Sequence, residues 1–158
     1  MNLTTCSNRL VSGLVETLTW AAKTGHLDEA DRLLAALHLM RPKFVELHAY
    51  DAWLLIRRNR MKDAAQLLRQ LEGRELQVPF GPYVTALLAV CLSALGDPGW
   101  RVYANEVLTR EEDPESVGLM NLLTGKRKKG EPNEAETPGA STGAADLLQA
   151  MSFSYLRA

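Results

Sequence analysis

The chain repeats itself with a period of 34 residues, and this internal repeat limits its fold more than any other feature. Residues 25–37 align with residues 59–71 without a gap. Each segment begins with a residue suited to a tight turn, has alanine five positions later, and then carries leucines at matching places. A repeat of this length is one supersecondary unit that cannot bury its apolar face alone, so consecutive units must stack on one another. The equivalent pairs are Gly25 and Asn59, Ala30 and Ala64, Leu33 and Leu67, Leu34 and Leu68, and Leu37 and Leu71.

The period and the residue pattern are typical of the tetratricopeptide repeat, in which each unit is a hairpin of two antiparallel helices. The first unit also ends on Pro42, where that repeat commonly has proline. A third unit follows with an insertion, because Gly96 comes 37 residues after Asn59, and we place the three extra residues in the loop at 78–82. The sequence therefore predicts an all-α, tetratricopeptide-like superhelix of α-hairpins, with about three helical pairs and a capping helix. The predicted helices cover residues 7–23, 28–40, 44–58, 61–72, 83–95, 100–110 and 113–125.

The composition is that of an ordinary soluble domain. Hydrophobic residues make up 46% and charged residues 23%, and the net charge of -1 draws the chain neither to nucleic acid nor to an anionic membrane. Cys6 and Cys91 do not indicate a disulfide framework, and a reducing compartment fits. No export signal is visible at residues 1–11, and the most apolar stretch, residues 84–95, is shorter than the roughly 20 residues that span a bilayer. We therefore expect a cytoplasmic protein without a transmembrane segment.

The helical-repeat domain is expected at residues 1–125, and the character of the sequence changes after it. Residues 126–143 begin with four basic residues and then contain no apolar side chain larger than alanine, which predicts a disordered linker. The basic run is either a solvent-exposed helix end, where lysine and arginine favour the negative end of the helix dipole, or a contact site for an acidic partner, a phosphate or an envelope polymer. Residues 144–158 place Leu147, Leu148 and other apolar residues on one helical face. This C-terminal segment therefore predicts a short amphipathic helix that docks on another surface.

The histidines and other reactive residues form no pattern that indicates chemistry. His26, His38 and His48 lack metal-ligand spacing, because the first belongs to a turn and the other two are on different predicted helices. No serine lies in a Gly-x-Ser-x-Gly elbow. Residues 118–127 fail as a phosphate-binding loop because Arg127 stands where serine or threonine is required. We therefore expect no enzymatic activity, no cofactor and no metal site.

A groove is the more specific candidate for a functional site. The first helix of each pair lines the concave face of a hairpin superhelix, and its small residues beside large aromatic ones favour binding of an amphipathic helix. Trp53 is the natural anchor, because tryptophan is common among residues that dominate binding energy. The alternative is that Trp53 belongs to the core between helices. The predicted groove residues are Val15, Thr19, Ala49, Trp53, Ile56, Tyr83, Ala86 and Val90.

A pair of neighbouring motifs is the most specific feature of the sequence: Gly-Asp-Pro-Gly-Trp at residues 96–100 is followed by Ala-Asn-Glu-Val-Leu at residues 104–108. This pair and several shorter segments resemble the HrpB/HrpK family of type III secretion proteins from plant-associated bacteria. The resemblance implies a component of a type III secretion system that takes part in assembling or operating the apparatus. It extends over residues 10–125 and leaves out the linker and the C-terminal segment. The other segments that carry it are residues 25–30, 39–42, 52–58 and 122–125.

The chain is also similar to the smaller tetratricopeptide chaperones of the YscG and PscG kind, which hold an aggregation-prone helix of a needle subunit before export. By this analogy we expect the predicted groove to capture an apolar helix of a needle or inner-rod subunit. The alternative hypothesis is a self-associating structural or envelope-associated (periplasmic) apparatus protein, supported by the basic run and the apolar C-terminal segment. A third hypothesis is that residues 144–158 fold back into the groove, since such a tether gives an effective concentration on the order of millimolar.

Overall fold

The computed structural model describes residues 7–77 and 79–125, and within these ranges the chain is all-helical. The seven described helices pack as consecutive hairpins, which confirms the predicted tetratricopeptide-like fold. The basic run, the linker and the C-terminal segment predicted beyond residue 125 lie outside the described residues. The helices are α1 (Asn8–Lys23), α2 (Leu27–Met40), α3 (Leu47–Arg57), α4 (Met61–Glu72), α5 (Phe80–Ala94), α6 (Trp100–Arg110) and α7 (Pro114–Leu123).

Two helices begin on side chains that cap them. Oγ of Ser7 accepts a hydrogen bond from the backbone N–H of Leu10 at 3.4 Å at the start of α1. At α7, Oδ2 of Asp113 accepts from the backbone N–H of Ser116 at 2.8 Å, and Pro114 is the first helical residue. Both caps satisfy N–H groups that have no partner inside the helix, and proline loses nothing at the first position.

Two other helices begin at different places from those predicted. α3 begins at Leu47 because residues 44–46 form a turn, in which the N–H of Leu47 donates to the carbonyl of Phe44 at 3.2 Å. α5 begins earlier than predicted, at Phe80, so Pro82 lies inside the first turn of the helix. Both differences fall where a loop from the preceding hairpin leads into the first helix of the next one. The sequences of these loops are not part of the repeat, so the repeat does not predict where the helix begins.

The three hairpin turns share one hydrogen-bond pattern. Gly25, Asn59 and Gly96 have positive φ angles of 88°, 61° and 73°. In each turn the following residue donates its N–H to the carbonyl five positions earlier, which is the Schellman arrangement that ends a helix on a left-handed residue. These turns are therefore structurally equivalent even though the third is displaced from the 34-residue period. The bonds run from His26 to Ala21 at 2.8 Å, from Arg60 to Leu55 at 2.8 Å, and from Asp97 to Leu92 at 2.9 Å.

The helices stack in chain order. α1 packs on α2, α3 on α4 and α5 on α6 within the hairpins, while the contacts of α2 with α3 and of α4 with α5 join one hairpin to the next. α7 packs on both α5 and α6, as a capping helix should. Ala30 and Ala64 are completely buried, which lets the paired helices approach closely. Two of the repeated pairs of leucines, Leu34 with Leu68 and Leu37 with Leu71, are likewise buried.

The third hairpin departs from the repeat in its turn. α6 begins four residues after Gly96, whereas α2 begins two residues after Gly25. Oδ1 of Asp97 accepts the N–H of Gly99 at 2.9 Å and so stabilises the longer turn. As a result Ala104, and not the residue five positions after the glycine, is the buried small residue of α6.

No described helix combines the length and the apolar character needed to cross a membrane.

Candidate partner-binding surface

The eight predicted groove residues lie on the first helices of the three hairpins, as the repeat register predicts. They are Val15 and Thr19 on α1, Ala49, Trp53 and Ile56 on α3, and Tyr83, Ala86 and Val90 on α5. Every one of them is buried: Thr19 is the most accessible, with 8% exposed, and Trp53 has no accessible surface. In this conformation the residues are covered, so a partner could reach them only after a rearrangement. Their role in binding stays a prediction.

Three buried or partly buried aromatic residues that were not among the predicted groove residues contact one another beside α3 and α5. Tyr50 lies one helical turn before Trp53 on α3, and Phe80 is the first residue of α5. The ring of Phe80 makes edge-to-face contacts with Tyr50 and with Phe44, with ring centroids 6.3 and 6.2 Å apart. The spacing of Tyr50 from Trp53 could have identified it from the sequence, whereas Phe80 falls within the stretch predicted as a loop.

Burial raises the pKa values of two phenol groups in this region. Tyr50 and Tyr83 are completely or almost completely buried. Burial raises the pKa of the Tyr50 phenol, and it raises the pKa of the Tyr83 phenol well above its usual value, with a smaller contribution from the nearby Glu115 carboxylate. The row of first-helix residues is therefore an uncharged, largely apolar environment at any physiological pH.

Two consecutive arginines at the end of α3 tie the second hairpin to the first. The guanidinium of Arg57 donates to the last carbonyls of α1, the nearer being that of Ala22 at 2.9 Å. The guanidinium of Arg58 contacts Oδ1 of Asp28 at 2.8 Å and also the carboxylate of Asp31, both on α2. Its hydrogen bond and positive charge lower the pKa of the Asp28 carboxyl. These arginines belong to the segment at 52–58 that carries the family resemblance, and they act as a clamp between hairpins.

The accessible apolar surface lies elsewhere. Trp20 on α1, Leu39 on α2 and Val102 on α6 are 62%, 67% and 70% exposed. A cleft of about 500 Å³ lies between α6 and α7, and Trp100 and Leu123 contribute to its lining.

The structure also brings His38 and His48 together at the contact of α2 with α3, although their sequence spacing gives no sign of it.

Comparison with known proteins identifies the family. The sequence model of the bacterial type III secretion protein family HrpB1_HrpK matches residues 1–129, a range that includes the whole described fold. No curated protein matches the chain, and no solved structure matches it. The resemblance found in the sequence is thus confirmed over most of the chain. This protein belongs to the HrpB1_HrpK family of bacterial type III secretion proteins.

Proposed function

We propose that this protein binds an apolar helix of another type III secretion protein, a needle or inner-rod subunit, and keeps it from aggregating before export. The observation that carries this proposal is the row of small and aromatic side chains along the first helices of the three hairpins, with Trp53 on the middle helix. Because these residues are buried in the described conformation, the hairpins must shift to admit an amphipathic helix of the client. Trp53 and Tyr50 would then offer that helix large, rigid contact surfaces.

The proposed activity is binding and not catalysis, and its proposed location is the cytoplasm, where a client would be met before export. The fold supports this proposal because stacked helical hairpins form extended binding surfaces. Membership of the family supports an apparatus protein as the partner.

A binding measurement with matched tryptophan variants tests the proposal. The purified chain is titrated with the needle subunit and, separately, with the inner-rod subunit of the same secretion system. We expect a one-to-one complex with one of them, and we expect Trp53→Ala to weaken it by about 2 kcal/mol or more, as for a binding hot spot. Trp20→Ala is the control, because it removes the same side chain from an exposed position on α1.

Folding of the variants must be measured alongside binding. Removing a buried tryptophan costs about 3–5 kcal/mol of stability, so Trp53→Phe, which keeps an aromatic ring, serves as a second variant. Circular dichroism identifies the variants that stay folded. Failure of the wild-type chain to bind either subunit, or equal binding by folded Trp53 variants, would contradict the proposal.

The C-terminal segment provides a further test of the same groove. If residues 144–158 compete for it, a chain that ends at residue 143 will bind the client more tightly than the full chain does. Unchanged affinity would exclude competition by this segment and leave the client proposal standing.

Self-association within the apparatus is the second candidate function. The large apolar side chains exposed on the outside of the hairpins, Trp20, Leu39 and Val102, favour it because they could be covered by a neighbouring copy. Fractionation of the host and the molar mass of the purified protein distinguish the two candidates. The binding proposal predicts a cytoplasmic monomer or heterodimer, whereas the second candidate predicts larger assemblies in the envelope fraction.

A further inference from the structure

The end of α2 and the beginning of α3 bring three potential metal ligands together. Nε2 of His38 lies 2.8 Å from Oδ2 of Asp51, and Nδ1 of His48 lies 3.0 Å from the same oxygen. The two imidazole rings have centroids 4.9 Å apart. One carboxylate oxygen therefore stands between ring nitrogens that come from two neighbouring hairpins.

We propose that His38, His48 and Asp51 form a binding site for a divalent transition-metal ion, with Zn²⁺ as the best match. Imidazole nitrogen and carboxylate oxygen are zinc ligands, and three protein ligands with a water in the fourth position make an open tetrahedral site. The three ligand atoms already lie within 4.8 Å of one another. Ligands at zinc bond lengths of about 2.0–2.2 Å lie roughly 3.3–3.6 Å apart, so small side-chain rotations admit the ion.

The surroundings of the cluster suit an exchangeable ion. The side chains of His38 and Asp51 are 30% and 31% accessible and that of His48 is 47% accessible, so an ion can enter from solvent and keep a water ligand. Without the ion, the Asp51 carboxylate accepts hydrogen bonds from the ring N–H groups. Zinc takes the place of those protons, which means that acid weakens its binding.

The ion would connect the first hairpin to the second, because His38 belongs to α2 and the other two ligands belong to α3. Binding to the folded state alone also stabilises it by mass action. The site lies on residues that the proposed groove does not include, so its existence is independent of the client proposal. The proposal differs from the expectation from the sequence, in which the spacing of the histidines along the chain indicated no metal site.

Zinc titration of the full chain tests the proposal, with any affinity tag removed and residual metal stripped by a chelator. We expect one Zn²⁺ per chain by calorimetry and a rise in the melting temperature. His38→Gln and His48→Gln should each weaken binding by at least roughly 10-fold to 100-fold, the loss seen when even supporting residues of metal sites are changed. His26→Gln is the matched control, because His26 lies in the α1–α2 turn beside Thr24, away from the cluster.

A second measurement does not depend on the variants folding. In the wild-type chain, nuclear magnetic resonance should show that Zn²⁺ shifts the ring signals of His38 and His48 and leaves those of His26 in place. Absence of saturable zinc binding would overturn the proposal. So would zinc binding that His38→Gln and His48→Gln leave intact, or a shift confined to His26, since the trio would then be a hydrogen-bonded contact alone.

Discussion

At the scale of single residues, each hairpin turn depends on one residue that adopts a left-handed backbone conformation. Gly25 and Gly96 have left-handed φ angles, and so does Asn59, the residue that stands at the same place in the second hairpin. Asparagine tolerates this region better than most side chains because its amide can bond locally. A β-carbon added at Gly25 would meet no atom within 4 Å, so space does not explain the glycine there.

Substitution of Gly25 by alanine isolates this conformational effect. We expect Gly25→Ala to lower the free energy of unfolding by about 1–2 kcal/mol, because alanine is strained at a φ of 88°. Gly73→Ala is the control: Gly73 ends α4 at a φ of -81° and also has open space around it, so we expect a change within about 0.5 kcal/mol. Urea denaturation measures both, and equal losses would refute the explanation.

The second prediction at this scale concerns the reactivity of the buried thiol of Cys91. Cys91 has no accessible surface, and burial raises the pKa of its thiol to about 12. Since the thiolate is the reactive form, Cys91 in a Cys6→Ser chain should react with a disulfide reagent only as fast as the protein opens. The same chain in urea should react at once. Rapid stoichiometric reaction of the native protein would show that the core around α5 is open.

At the scale of elements, the contact between the first two hairpins is held by side chains as well as by apolar packing. Arg57 caps the C-terminal end of α1, where the last carbonyls have no partner inside the helix. Arg58 pairs with carboxylates on α2 that are largely exposed. The two arginines are adjacent in sequence but differ in the partners they satisfy.

Alanine substitutions should separate the two arginines. We expect Arg57→Ala to lower the free energy of unfolding by about 1.5–3 kcal/mol, because it removes the hydrogen bonds of a charged donor to the last carbonyls of α1. Arg58→Ala should cost less, and its effect should shrink in high salt because solvent-exposed ion pairs are screened. Denaturation at low salt and at about 1 M salt checks the difference. A larger loss for Arg58→Ala than for Arg57→Ala would reverse the assignment.

At the scale of the whole molecule, stability comes from interfaces between neighbouring hairpins. α2 packs on α3 and α4 packs on α5, so each hairpin covers the apolar face of the next. A stack of this length has few units, and each depends on its neighbours for burial. We therefore expect the described domain to unfold as one cooperative unit.

Tryptophan probes at the two ends of the stack test this cooperativity. In a Trp53→Phe background, Trp100→Phe leaves Trp20 in the first hairpin, and Trp20→Phe leaves Trp100 at the start of α6 in the third. In each variant the fluorescence midpoint in urea should coincide with the circular dichroism midpoint. Midpoints that separate would mean that the hairpins unfold one after another.

The helices, the pairing of the hairpins and the positions of the equivalent turns could be predicted from the sequence, although α3 and α5 begin at other residues than expected. Those features depend on apolar periodicity and on residues that begin or end a helix, such as Pro114 and Gly25, whose effects extend over one or two helical turns. The family resemblance also came from local motifs, and the match over residues 1–129 confirms it.

The contacts between the hairpins depend on tertiary packing and could not be predicted from the sequence. The complete burial of Trp53, the reach of Arg57 to α1, and the meeting of His38 with His48 depend on how neighbouring helices are offset and rotated. A repeat pattern states which face of a helix is apolar, but several offsets of two packed helices satisfy the same pattern. Side chains far apart in sequence come together only once packing has selected one of these offsets, and for that reason the cluster at Asp51 could not be read from residue spacing.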